Sequence, residues 1–209
     1  MVFGVMTMTE KLMDGIWKQM QLSNGLREDD KDIYVFGVYQ GAILLLNICT
    51  ALLIGVILNM IIEMIVYLIC FLPLRIFAGG YHAKTQLRCY IMSSVTAVFI
   101  LFGIQFLQQQ ESIWEFICFM VSFGIIWKFA PVPDANKPLQ GNEQVIYQKK
   151  VRKILLVLTG VSVAAFALKL QLVLAVIEIS VCFLAVILLM GLLKNRKAAK
   201  NEEFAMPAN

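Results

Sequence analysis

One apolar stretch, residues 33–74, most constrains what this chain can fold into. It is 42 residues long and carries a single charged side chain, Glu63. As one α-helix it would be about 63 Å long, about twice the hydrocarbon thickness of a bilayer. We therefore expect two membrane crossings, joined by a reversal near residues 55–59, where Gly55 and Asn59 interrupt the run.

The composition extends this interpretation to the whole chain of 209 residues. Hydrophobic residues make up 60% and charged residues 15%, whereas soluble domains average about 45–50% apolar and about 25% charged. These values exclude an ordinary soluble domain, a disordered chain and a basic nucleic-acid binder, so no nucleic-acid partner is expected. The apolar residues suffice for roughly six membrane spans of about 20 residues each.

Polar interruptions divide the rest of the chain. After the two spans in 33–74, we predict spans at about 86–106, 113–130, 154–168 and 172–193. The membrane domain is thus residues 33–193, with a polar loop over 131–150 and a polar tail over 194–209. Residues 1–32 form a separate segment. Within it, residues 10–27 have the pattern of an amphipathic helix, either interfacial or packed on the rest of the protein.

The positions of lysine and arginine test this topology. With the amino terminus in the cytoplasm, 17 of the 18 Lys and Arg residues lie inside and only Lys169 lies outside. Cytoplasmic loops carry an excess of these residues. The predicted fold is therefore an all-α polytopic membrane protein with six transmembrane helices, both termini cytoplasmic, and membrane lipid as a partner.

The connection between the second and third spans, residues 75–89, carries the most distinctive chemistry. It contains the only histidine, His82, the Gly79-Gly80 pair, and Cys89 at the predicted start of a helix. A cysteine near a histidine suggests a thiol nucleophile and its base. The backbone N–H groups of Gly79 and Gly80 are candidates for an oxyanion hole or for contact with a substrate backbone.

Geometry sets a condition on this pair. If Thr85 is the N-cap of the third span, Cys89 lies in the first helical turn, where the helix dipole favours negative charge. On one continuous helix His82 and Cys89 would be about 10.5 Å apart along the axis, and hydrogen bonding needs about 2.6–3.2 Å. Residues 79–85 must therefore fold back as a turn. A histidine at the interface and a packed cysteine, without catalysis, remain the alternative.

No metal or cofactor is expected, because there is one histidine and no two of the five cysteines form a C-x-x-C pair. No third catalytic residue is evident either. The candidates for it are Gln86, Asp134, Asn136 and Glu63.

The run Leu74-Arg75 followed by Phe77-Ala78-Gly79-Gly80-Tyr81-His82-Ala83, with Cys89 seven residues beyond the histidine, resembles the accessory gene regulator B family. The resemblance implies a peptidase of the Gram-positive plasma membrane, with a cytoplasm-facing site that processes the propeptides of cyclic autoinducers. It implies that His82 and Cys89 are catalytic. Its substrate would be a short propeptide with its own amphipathic N-terminal segment, cleaved near the C-terminal side through a thioester and closed to a thiolactone or lactone.

Basic residues around this segment are candidates for substrate binding. Arg75 could hold a substrate carboxylate or anchor its span at the lipid headgroups. The cluster Lys149, Lys150, Arg152 and Lys153 is first a topology signal, and it could also attract an acidic propeptide tail.

Two other functions remain open. A small transporter would use Glu63 and Glu178, which lie in apolar spans where a charged acid costs about 2.5–3.5 kcal/mol. Against it, the sequence shows no internal repeat and no paired Gly/Pro breaks. The third possibility is a non-catalytic membrane scaffold. A homodimer is compatible with the sequence, but no residue argues for it.

Overall fold

The computed structural model describes residues 31–81, 85–108, 113–133 and 142–205, together with Gly15 and Trp17. Over these residues the chain is helical and has no strand, as predicted. The helices are α1 (Lys31–Ile57), α2 (Ile61–Ala78), α3 (Gln86–Leu107), α4 (Ile113–Phe129), α5 (Asn142–Ala167) and α6 (Gln171–Ala205).

Four segments of the described helices are long and apolar enough to cross a membrane. They are Gly37–Ile57, Ile61–Ala78, Gln86–Leu107 and Gln171–Lys197. Helix α4 is apolar but has only 17 residues, and α5 is polar over its first three turns. Membrane crossing by α4 and α5, and with it the six-span topology and the cytoplasmic termini, stays a prediction.

The reversal between α1 and α2 lies where the sequence predicted it. Leu58 and Asn59 form the turn, and Asn59 takes a left-handed conformation (φ 54°), which asparagine tolerates better than most residues. A Cβ at Gly55 would lie 2.9 Å from the Cβ of Met64. Glycine therefore lets the two helices approach closely just before the turn.

Two boundaries differ from the sequence prediction. Helix α5 begins at Asn142, so the predicted loop 131–150 is helical in its last nine residues, and α6 continues to Ala205, well into the predicted tail 194–209. Both extensions are rich in Lys, Arg, Gln and Glu, which are good helix formers. The polar residues mark the ends of the apolar runs in the sequence, but the helices continue past those ends. The predicted amphipathic helix of 10–27 lies outside the described residues except for Gly15 and Trp17, which are helical.

The chain divides into two compact units, residues 1–49 and 50–209. In the first unit Trp17 is buried, and its ring centroid lies 6.3 Å from that of Tyr34. In the second unit α6 is central, because it packs against α2, α3, α4 and α5. Its fully buried residues include Ile177, Leu184 and Leu188. A helix contacted from several sides needs apolar residues around most of its circumference, and α6 has them.

Candidate functional site

The start of α3 places Cys89 where the sequence predicted it. Thr85 has an extended backbone (φ −126°, ψ 149°), and its Oγ1 accepts a hydrogen bond from the Arg88 N–H at 3.4 Å. The N–H of Cys89 donates to the Thr85 carbonyl at 3.0 Å. Cys89 therefore lies in the first turn of α3, half-buried, beside the positively polarised end of the helix.

The Gly79-Gly80 pair forms hydrogen bonds to the protein's own backbone. Both residues have positive φ angles, 68° and 107°. The Gly79 N–H donates to the Arg75 carbonyl at 3.3 Å, and the Gly80 N–H donates to the Val132 carbonyl at 3.1 Å. Both N–H groups are thus occupied in this conformation. An oxyanion hole or a substrate-backbone contact at Gly79 and Gly80 would require these hydrogen bonds to be exchanged for bonds to the substrate, and this role stays a prediction.

The two glycines instead let three chain segments meet at backbone distance. A Cβ at Gly79 would overlap the Val132 carbonyl oxygen, and a Cβ at Gly80 would lie 2.9 Å from Cγ2 of Ile187. A Cβ at Gly191 would lie 2.8 Å from the carbonyl carbon of Gly80. We call these five residues, Gly79, Gly80, Val132, Ile187 and Gly191, the glycine crossing.

Two further backbone hydrogen bonds strengthen the glycine crossing. The Val132 N–H donates to the Ala78 carbonyl at 2.9 Å, and the Tyr81 N–H donates to the Ile187 carbonyl at 3.1 Å. The end of α2 is therefore tied both to the segment after α4 and to the middle of α6. Val132, Ile187 and Gly191 were missed by sequence reasoning. The only signals for them are a lone glycine in the apolar run of α6 and the Pro131-Val132-Pro133 sequence after α4.

Arg75 holds the same turn from inside α2. Its Nη1 donates to the Gly79 carbonyl, and its Nη2 donates to the Tyr81 carbonyl at 2.7 Å. Tyr81 immediately precedes His82 in the sequence. Arg75 thus fixes the backbone that leads into the histidine, a role that the sequence did not indicate. Its predicted contact with a substrate carboxylate stays a prediction.

The basic cluster lies against this segment, although about 70 residues separate them in sequence. The Lys150 Nζ lies 4.7 Å from the ring centroid of Phe77. The same ring meets Tyr147 edge-on, with centroids 5.6 Å apart. The unexpected helical start of α5 therefore packs on the end of α2.

The other members of the cluster differ in their surroundings. The Arg152 guanidinium carbon lies 4.8 Å from the Trp127 ring centroid, and its Nη2 reaches the Trp127 carbonyl at 3.5 Å. Lys149 and Lys153 are exposed. These two lysines are the members of the cluster best placed to meet a partner from solution.

The predicted tail also returns to this end of the unit. The Lys194 Nζ lies 5.4 Å from the Tyr81 ring centroid, and the Asn195 Nδ2 donates to the Pro133 carbonyl at 2.8 Å. Side chains of α2 and α6 and the backbone of Val132 thus contact residues 79–81, and α5 packs on the nearby Phe77.

His82 and Lys84 lie outside the described residues, as do Asp134 and Asn136, so the His82–Cys89 pairing stays a prediction. The residues on either side of the gap are fixed, however. Tyr81 is bound to Ile187 and Arg75, and Thr85 caps α3. Among the described residues, no group of three or more His, Cys, Asp or Glu could hold a metal ion.

These features define a class of protein. It is a helical membrane protein in which Arg75 and the Gly79-Gly80 pair hold a turn at the end of α2. This turn is hydrogen-bonded to Val132 and to Ile187 of α6, and it precedes a cysteine at the start of the apolar helix α3. The family model described as Accessory gene regulator B (AgrB) matches residues 9–193. The chain therefore belongs to the AgrB family.

Two curated relatives agree with this assignment. AgrB-like protein 2 of Clostridium perfringens (strain 13, type A) is 27% identical over 138 residues, which cover 62% of this chain and 64% of that protein. An AgrB-like protein of C. perfringens (strain SM101, type A) is 26% identical over 149 residues, which cover 68% of this chain and 70% of that protein. The alignment thus spans a little under two thirds of the first relative. No solved structure matches this chain.

Proposed function

We propose that this protein is an integral-membrane cysteine endopeptidase that removes the C-terminal part of a quorum-sensing propeptide and promotes its cyclisation. Cys89 is the nucleophile and His82 is the base. The observation that carries the proposal is the position of Cys89 in the first turn of α3, eight residues beyond Tyr81, which ends the hydrogen-bonded turn that leads into His82. Membership of the AgrB family supports the same reaction class.

The proposed reaction has two acyl transfers. The Cys89 Sγ attacks the carbonyl carbon of the scissile peptide bond, and its proton passes to His82. His82 returns this proton to the leaving amine as the C–N bond breaks, so the N-terminal part of the propeptide remains as a thioester on Cys89. A thiol or hydroxyl within that peptide then attacks the thioester, closes a thiolactone or lactone, and releases the Cys89 thiol.

Ring closure competes with hydrolysis of the same thioester. An intramolecular nucleophile held near the carbonyl has a high effective molarity. A half-buried Cys89 at a membrane interface limits access of water, which helps further. Cyclisation is therefore the favoured outcome once the peptide is anchored.

Substrate recognition is assigned to the basic surface beside the site. Lys149 and Lys153 are exposed on α5, and Lys150 lies over Phe77 at the end of α2. Charge of one sign beside a site attracts a partner of the opposite sign. We propose that these residues draw an acidic propeptide tail toward Cys89, and that Arg75 acts on catalysis through the turn.

We also propose that the site faces the cytoplasm of a six-span protein in the plasma membrane. The support is charge: basic residues of α2, α5 and α6 (Arg75, Lys150 and Lys194) gather at one end of the unit. Such an excess is typical of cytoplasmic ends.

The test is co-expression with candidate short propeptides from the same genome, followed by mass spectrometry. Wild type is expected to yield a peptide that lacks its C-terminal part and one further water. Cys89→Ala and His82→Ala should yield none. Cys118→Ala, which removes an exposed cysteine of α4, is the matched control and should process normally. Cleavage without loss of water would refute cyclisation, and processing by Cys89→Ala would refute the proposed nucleophile.

A further inference from the structure

A cavity of about 540 Å³ lies among α3, α4, α5 and α6, far from the proposed catalytic site. Leu107, which lines it, is the last residue of α3, whereas Cys89 is in the first turn of the same helix. The two residues are 18 positions apart, which corresponds to about 27 Å along the helix. None of the cavity's lining residues belongs to the glycine crossing.

The lining combines apolar walls with a few converging polar groups. The apolar residues include Phe119, which is buried, and Phe116 and Phe166, which are exposed at the rim. The polar groups come from three helices and are Glu115, Thr159, Ser162, Gln171 and Glu178. Binding sites for small molecules have this composition, and their usual volume is about 300–1,000 Å³.

The polar groups indicate the charge of the ligand. Glu115 and Glu178 bring two carboxyl groups to one cavity. The Thr159 hydroxyl donates to the Leu155 carbonyl at 2.9 Å, so it offers the cavity its lone pairs. Among the described residues no lysine or arginine lines the cavity, and Lys169, the nearest basic residue in sequence, is exposed. The site is therefore rich in acceptors and acids.

The apolar part indicates the rest of the ligand. Aromatic faces attract cations, and most strongly where water is excluded. Glu178 lies in the apolar part of α6, where a carboxyl group is costly and a cationic ligand would stabilise its charged form. We propose that this cavity binds a hydrophobic organic cation, such as a protonated amine or a quaternary ammonium on an apolar body. The site is separate from peptide processing at Cys89 and does not depend on it.

The experiment uses the full-length protein in lipid nanodiscs and tetraphenylphosphonium as the probe, measured by equilibrium dialysis. Saturable binding is expected for wild type. Glu178→Gln should weaken it at least about tenfold, and Glu115→Gln by several fold, because each removes a carboxylate facing the cation. Tetraphenylborate has the same shape and the opposite charge; assayed alone, because the two ions precipitate together, it should show no saturable binding.

The controls separate this site from other acids and from the proposed catalytic site. Glu63→Gln removes an acid of α2 that does not line the cavity, and it should bind as wild type does. Cys89→Ala should also bind normally while losing peptide processing. Thr159→Val keeps the shape of the wall and should weaken binding modestly even if Glu178→Gln proves unstable. The proposal is overturned if wild type shows no saturable binding of tetraphenylphosphonium, if Glu178→Gln and Thr159→Val both bind like wild type, or if tetraphenylborate alone binds as tightly.

Discussion

The two ends of the second unit are built in different ways. At the Cys89 end, the backbone of Gly80 meets the backbone of Val132 and of α6 directly. At the other end, side chains of four helices surround a cavity of about 540 Å³. The first end is basic and tightly joined, whereas the second is acidic and open. Interiors packed at backbone distance transmit even small displacements, so substitutions should act very differently at the two ends.

The largest expected effect comes from a glycine substitution in the glycine crossing. Gly79→Ala would place a Cβ on the Val132 carbonyl at a positive φ, so the glycine crossing must open. Backbone strain of this kind costs about 1–3 kcal/mol. Displacement of the turn should lower processing about 100-fold, because about 1 Å of misplacement costs that much. Thermal unfolding in nanodiscs and peptide mass spectrometry measure the two effects.

The matched control is Gly124→Ala in α4, where a Cβ would meet nothing within 4 Å. This change should leave processing intact and stabilise the helix by up to about 1 kcal/mol. Equal losses of processing from Gly79→Ala and Gly124→Ala would contradict the claim that the glycine crossing tolerates substitution less than α4 does.

Arg75 provides an intermediate effect that separates two roles. Arg75→Lys keeps the charge but cannot donate to both carbonyls in the same planar geometry. If Arg75 positions the turn, kcat should fall about tenfold with Lys and about 100-fold with Gln, at nearly constant KM. Single-turnover kinetics with a synthetic propeptide measure this split. A raised KM at unchanged kcat would instead favour the substrate contact predicted from the sequence.

The smallest effects belong to the exposed lysines. Lys149→Gln or Lys153→Gln should each raise KM about threefold at low salt, because exposed ion pairs contribute about 0.2–1 kcal/mol. The effect should fade at high salt, where such charges are screened. Lys169→Gln, a change at the turn between α5 and α6, should leave KM as it is. An unchanged KM in both cluster variants would show that these lysines set topology rather than recognition.

The sequence predicted the features that depend on local chemistry. The reversal at Asn59, the cap at Thr85 and the position of Cys89 follow from chain punctuation and helix termini, which act over a few residues. The partners of Gly79 and Gly80 could not be predicted in this way. Val132 and Ile187 are 53 and 107 residues away from Gly79 and Gly80, and a glycine pair in a loop has many possible roles.

The oxyanion-hole hypothesis for Gly79 and Gly80 meets the same limit of sequence reasoning. A glycine N–H is equally suited to a substrate oxygen and to a carbonyl of the protein itself, and only tertiary structure distinguishes them. The helical residues 142–150 were assigned to a loop because they are polar. Their packing on Phe77 then placed the basic cluster beside the site, which no pattern in the sequence could indicate.

Helix α6 is shared by both ends, and its pitch fixes their relative direction. Glu178 and Ile187 are nine residues apart, which is about two and a half turns. Glu178 and Ile187, whose carbonyl accepts the hydrogen bond from the Tyr81 N–H, therefore lie on opposite sides of α6. Deleting a single residue between them would rotate one end by about 100° relative to the other. Substitutions between Glu178 and Ile187 can therefore be tolerated, whereas an insertion or a deletion there would turn the cavity side of α6 away from its correct direction relative to the glycine crossing.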